Sequence, residues 1–174
     1  MTDKPLWIPD AARVAGSQVV AFMAEVNRRH GLSLGSYGEL HAWSIAHPDL
    51  FWDRLWDFTG VIGHKGARLL ADAGKMPGAK FFPDAKLNFA ENLLRRSDDA
   101  DALVFRGEDK VAYRLTFQQL HAMVSRMQQA LRAEGVGQGD RVAAMLPNMP
   151  ETIALMLAVT SLGAIWSSCS PDFG

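Results

Sequence analysis

"GVGQGDRVAAMLPNMPETIALMLAVTSLGAIWSSCSPDFG", residues 135–174, decides the fold. "DRVAAML" and "AIWSSC" are short apolar runs of strand character. Between them, "PNMPETIALMLAVTSLG" enters at Pro150 and stops at Gly163, the punctuation of a helix. Strand, helix and strand in this order predict two parallel strands joined by a right-handed crossover. The strands are expected at Arg141 to Leu146 and around Ile165 to Ser168, with the helix over most of Glu151 to Leu162. Parallel strands normally lie in larger sheets covered on both faces, so more of a parallel or mixed sheet is expected to follow Gly174. The exposed edge such an incomplete domain would leave is a surface for self-association. In open α/β sheets ligands bind where loops leave the carboxyl ends of strands, and "SPDFG" occupies such a place.

Working outward, "ALVF" and "VAYRL" flank "RGEDK" and read as a hairpin turning near Gly107. Thr116 caps a long helix in which Phe117, Leu120, Val124, Met127 and Leu131 share a face, closed by Gly135. The first half is helical and aromatic. Val19, Phe22, Met23 and Val26 form one stripe stopped by Gly31, and "SYGEL" offers a capping box from Ser36 to Glu39. Pro48 starts a further helix carrying Phe51, Trp52, Leu55, Trp56 and Phe58; Trp43, Phe51, Trp52 and Trp56 are expected to be mostly buried. Residues 60–83 read as an irregular connection with some local helix, and "LNFAENLL" resumes helix at Asn88. The fold class is α/β: a helical N-terminal region over 1–98, then a hairpin and the first βαβ unit of a larger domain over 99–174.

With 174 residues, 48% hydrophobic and 21% charged, the chain has ordinary globular composition and can bury a core. A formal net charge of −1 gives no electrostatic reason to expect nucleic acid or an anionic membrane as partner. A single cysteine, Cys169, excludes an internal disulfide framework and fits a reducing compartment. "MTDKPLWIPDAARVAG" has neither a secretory apolar core nor the acid-poor character of a transit peptide, and the run from Ile153 to Trp166 is too short to span a bilayer. A cytoplasmic protein is expected.

Tempting local features have plainer readings. "GVIGHKG", with Gly60, Gly63, Lys65 and Gly66, lacks the spacing that aims successive N–H groups at a phosphate. Asp98, Asp99 and Asp101 have no glycine or glutamate to complete a calcium loop, and His30, His41, His47, His64 and His121 form no pair beside Cys or Glu, so no metal site is expected. Cys169, among Ser167, Ser168 and Ser170, has no nucleophile elbow and no base nearby in sequence; small residues on a buried strand ordinarily serve close packing.

Residues 135–174 resemble the AMP-forming acyl-CoA synthetases, in which a G-x-x-x-G-D-R-V strand leads to a P-N-x-P-E helix. The ending "GAIWSSCSPDFG" is similar to the acetoacetyl-CoA synthetases of that superfamily. Tyr37, Leu40, Trp43, Ser44, Pro48, Phe51 and Trp52, followed by "FFPDAKLNFAENLL", resemble the N-terminal region of acetyl- and acetoacetyl-CoA synthetases. The resemblance covers nearly the whole chain and about the first quarter of such an enzyme.

It implies a ligase that joins acetoacetate to coenzyme A with ATP and Mg2+, through an acyl-adenylate, releasing pyrophosphate and then AMP. The family's phosphate loop, adenine motif, ribose-binding aspartate, hinge and catalytic lysine lie beyond Gly174, so no catalytic residue is expected here, no tight binding of ATP, Mg2+ or CoA, and no activity from these residues alone. One candidate site is implied. In acetyl-CoA synthetases the loop after the corresponding strand approaches the nucleotide end of CoA, which here falls on Ser170, Pro171, Asp172, Phe173 and Gly174. Pro171 and Asp172 replace the glycine pair of the acetyl enzymes; an acid there would repel the 3′-phosphate, so Asp172 is expected to point away or cap a helix. A ligase for acetate or another short acid, and a non-catalytic interaction module, remain the alternatives.

Overall fold

Asp10, Ser17, Ser36, Asn88 and Thr116 each accept, through a side-chain oxygen, the backbone N–H three residues on. This bond satisfies one of the donors a first helical turn leaves free, which is why these residues mark helix starts. The computed structural model describes residues 5–108 and 110–173. It divides the chain into two units, Met1–Lys86 and Leu87–Gly174.

In the first unit, α1 (Ala11–Ala15) follows Asp10, α2 (Gln18–His30) follows Ser17 and ends on left-handed Gly31, α3 (Tyr37–Ala46) follows Ser36, and α4 (Pro48–Thr59) opens on its proline. Phe22, Val26, Leu40 and Trp43 form the core. Phe22 meets Phe51 and Phe58 edge-on at centroid distances of 5.6 and 5.2 Å, which holds α4 against α2. Asn27 closes the α2–α3 turn with two 2.9 Å bonds to the Leu34 backbone. The expected capping box at Ser36 is altered: the Glu39 carboxylate reaches the Gly35 N–H at 2.7 Å and the Ser36 hydroxyl at 3.1 Å.

Two expectations for this unit need correction. Of the four aromatics expected inside, Trp43 is buried, Phe51 and Trp56 are half-buried, and Trp52 is 43% exposed. Only one side of α4 faces the α2–α3 core; Trp52 and Trp56, one turn apart, lie on a flank covered by Phe81 and Phe82. Residues 60–83 contain no helix among those described. They carry β1 (Leu70–Ala71) and β2 (Lys80–Phe81), paired antiparallel.

The second unit begins with α5 (Phe89–Leu93), whose cap Asn88 also donates to the Thr160 carbonyl at 2.9 Å. The hairpin forms as expected, β3 (Asp101–Gly107) antiparallel to β4 (Val111–Thr116). Next come α6 (Phe117–Ala133), opened by a complete Thr116–Gln119 capping box, then β5 (Arg141–Met145), α7 (Pro150–Ser161) and β6 (Ile165–Cys169). β5 and β6 are parallel, in register from Arg141 opposite Ile165 to Met145 opposite Cys169. The α/β class, the hairpin and the βαβ unit are therefore as read from the sequence.

The core joins α5, α6 and α7 through Ala90, Leu120, Val124, Ala154, Leu157 and Ala158. Leu157 is 2% exposed, and burying a side chain of its size contributes about 1.5–3 kcal/mol. The strand expected to be buried is not: all of β6 except Trp166 is exposed, Cys169 included. Among the described residues only β5 pairs with β6, so one edge and most of its faces stay open.

Candidate functional site

The carboxyl ends of β5 and β6 frame a hollow of about 330 Å³ within the second unit. Leu146, Pro147 and Asn148 line it from the β5–α7 loop; Thr152, Ile153 and Met156 from α7; Trp166, Ser168 and Cys169 from β6; and Ser170 from just after it. The parallel register brings these together, because Leu146 N–H continues the ladder onto the Cys169 carbonyl at 3.2 Å. Loop geometry fixes the near wall: the Thr152 hydroxyl donates to the Pro147 carbonyl at 2.7 Å, and the Trp166 indole N–H donates to the Ser168 hydroxyl at 3.2 Å.

The candidate loop borders this hollow. Ser170 lies in its lining, and Pro171–Phe173 forms a single 3₁₀ turn; Gly174 lies outside the described residues. The Ser170 hydroxyl accepts the Asp172 N–H at 3.2 Å and donates to the Asp172 carboxylate at 2.8 Å. Ser170 thus caps the turn, and the Asp172 charge folds back on it. The lining offers Asn148 and serine hydroxyls for hydrogen bonding and an apolar wall from Leu146, Ile153, Met156 and Trp166. Among the described residues the lining holds no histidine, carboxylate or amine, and its one ionisable side chain is the Cys169 thiol.

The other sequence candidates stay structural. Lys65 of the glycine-rich stretch bonds Asp53 at 2.6 Å and Asp57 at 2.7 Å, two carboxylates one turn apart on α4. Burial opposes charge on both Asp53 and Lys65, yet the hydrogen bonds win: the Asp53 carboxyl, bonded by Lys65 and Arg54, is held below its ordinary value, and the Lys65 ammonium above its own. Asp98 binds Arg96 and the Ala100 N–H, and Asp101 pairs with Arg114. Among the described residues no group of three His, Cys, Asp or Glu is placed to hold a metal ion, and no helix is long and apolar enough to cross a membrane.

Sequence reasoning missed one contact beside the hollow. The Tyr113 hydroxyl donates to both Glu151 carboxylate oxygens, at 3.0 and 3.1 Å, tying the hairpin to the first turn of α7. Burial, then the bond to Glu151 and its charge, push the phenol pKa up, so Tyr113 stays a donor. The two residues are 38 apart in sequence, and no local pattern links them.

Comparison with known proteins agrees with this architecture. Residues 37–93 match the family described as acetyl-coenzyme A synthetase N-terminus, and residues 89–174 match the family described as AMP-binding enzyme. The acetoacetyl-coenzyme A synthetase of Rhizobium meliloti (strain 1021) is 57% identical over 99% of this chain and 26% of its own length. Malonamoyl-CoA synthetase vrtB of Penicillium aethiopicum is 38% identical over 97% of this chain and 24% of its own. The solved structure of acetoacetyl-CoA synthetase from Streptomyces lividans superposes with a TM-score of 0.86 at 39% identity, over 98% of this chain and 27% of that one. The chain therefore spans about a quarter of the length of the curated relatives it matches.

Proposed function

Because the chain belongs to the AMP-forming acyl-CoA synthetases, matching their N-terminal and AMP-binding families in turn, we propose that it is the N-terminal part of an acetoacetate–CoA ligase. The reaction is ATP + acetoacetate + CoA → AMP + pyrophosphate + acetoacetyl-CoA, through an acyl-adenylate. The observation that carries this reading is the end-to-end alignment, at more than half identity, with an acetoacetyl-coenzyme A synthetase.

ATP and Mg2+ supply carboxylate activation when bound. Neither fits the residues described here, which form no phosphate-cradling lysine loop and no three-residue metal cluster, so no step is assigned to this chain through them. What the chain contributes is the scaffold and one wall. Ser170–Gly174 is the candidate surface for the nucleotide end of CoA, and the turn of Asp172 onto Ser170 supports it by keeping that carboxylate occupied locally. The N-terminal region to about residue 98 and the start of the AMP-binding domain from 99 are the two parts of the same proposal.

Cytoplasmic residence also belongs to it, supported by the single cysteine. So does self-association through the open strands, supported by the exposed Met145 and Ile165 side chains.

The likeness to a malonamoyl-CoA synthetase favours a second reading of the acid, since malonamate, like acetoacetate, carries a carbonyl β to its carboxylate. The test is kcat/KM of the full-length protein with acetoacetate, malonamate and acetate. Acetoacetate is expected to lead; a preference for acetate would reject the assignment.

A further inference from the structure

We propose that Tyr113 and Glu151 form a positioning pair, holding the β5–α7 loop in the place that lets the end of β6 receive CoA. The inference rests on the ligase reading and names residues that act on it from a distance.

The first turn of α7 is a wall with a hollow on each side. On one side lies the 330 Å³ hollow at the strand ends; on the other, about 260 Å³ separates Leu103–Arg106 of β3 from Asn148, Met149, Pro150 and Ile153. Asn148 and Ile153 line both. Pro150 is buried, but Pro147 and Asn148 just before it are exposed, so that stretch has few van der Waals contacts of its own and polar ties help to decide where it sits. The helix start has little else: Met149, at the cap position, makes no side-chain capping bond. The ties are Thr152 of α7 to the Pro147 carbonyl, Leu146 N–H to the Cys169 carbonyl, which holds the start of the loop to β6, and Tyr113 to Glu151, which anchors the first turn of α7 to the hairpin.

That anchor is built for rigidity. The Tyr113 ring stands edge-on to Phe105 at 5.5 Å, fixing the hydroxyl. The acceptor is Glu151, in the first turn of α7, where negative charge is favoured by the helix dipole. Asn148, three residues before Glu151, then reaches the hollow that ends at Ser170.

The experiment compares full-length wild type with Y113F, E151A and E151Q. Two activities are read: CoA-dependent ligation, and acetoacetate-dependent exchange of pyrophosphate into ATP, which needs no CoA. Y113F keeps the ring and loses only the donor. It is expected to raise KM for CoA roughly tenfold, the worth of one charge-assisted hydrogen bond, with exchange within about twofold of wild type. E151A should match it, E151Q, which retains an acceptor, should fall between, and Y113F/E151A should be no worse than either single variant.

Equal losses in exchange and ligation would reduce the pair to a fold contact, and an unchanged KM for CoA would overturn the proposal outright. If wild type itself shows no exchange, the ligase reading fails instead. The pair is then judged by amide hydrogen exchange at residues 146–149 and 168–170, where protection unchanged by Y113F rejects it.

Discussion

Lys65 Nζ lies 2.6 Å from Asp53 Oδ1, with the side chains 21% and 14% exposed. The pair joins the connection after α4 back to the helix, and Asp57 gives the ammonium a second partner. K65M would strand Asp53 with Arg54 alone in a half-buried place, and is expected to cost about 1–3 kcal/mol in urea unfolding at pH 7. The folded Asp53 carboxyl titrates below its unfolded value, so its contribution is present above about pH 4 and is lost as pH falls through the folded pKa. Lys65 titrates above its unfolded value, so its part is present below about pH 10 and is lost as pH rises through the folded pKa. The gap between wild type and K65M should therefore be widest at neutral pH and narrow towards pH 3. A gap unchanged at pH 3 would contradict this.

Asn88 acts at both ends of its side chain, accepting from the Glu91 N–H at 3.1 Å and donating to the Thr160 carbonyl at 2.9 Å. N88A removes a helix cap and an anchor of α5 to α7 together, and about 1–2 kcal/mol of stability should go with them. N88D keeps the cap and loses the donor; its loss should be intermediate. Chemical denaturation of the three proteins decides it.

Gly66 and Gly135 are both left-handed, at φ +82° and +83°, but their surroundings differ. A Cβ at Gly66 would stand 2.7 Å from the Asp84 Cβ and 2.9 Å from its carbonyl carbon, whereas Gly135 has open space. G135A should therefore cost only the backbone strain, about 1–2 kcal/mol, and G66A should cost at least about 3 kcal/mol. Similar losses would show that the loop at Asp84 yields.

The parts of the fold legible in the sequence were those whose signals are local. Pro150 and Gly163 bracket α7, apolar runs on either side give β5 and β6, and Ser36, Asn88 and Thr116 each stand one residue ahead of a helix. Burial was less legible, because it depends on what arrives from elsewhere. Trp52 and Trp56 sit at helical spacing with Trp43's chemistry, yet rest against Phe81 and Phe82 at the edge of the unit and not in its core. Cys169 looked packed because its neighbours are small, but its strand has one partner among the described residues. At the candidate site, Ser170–Gly174 was singled out by its place after a strand and by the family resemblance. Tyr113 was not, since a tyrosine in a strand and a glutamate in a helix carry no mark that they meet.

Adenylate formation is the step that defines the account. Full-length protein carrying this sequence should catalyse exchange of labelled pyrophosphate into ATP that depends on acetoacetate and exceeds the rate with acetate, while residues 1–174 alone should not rise above the no-acid control, since the glycine-rich stretch at 60–66 lacks phosphate-loop spacing and no three-residue metal cluster forms among the described residues. Exchange by the 174-residue chain itself, or full-length protein that exchanges with acetate and not with acetoacetate, would contradict the account.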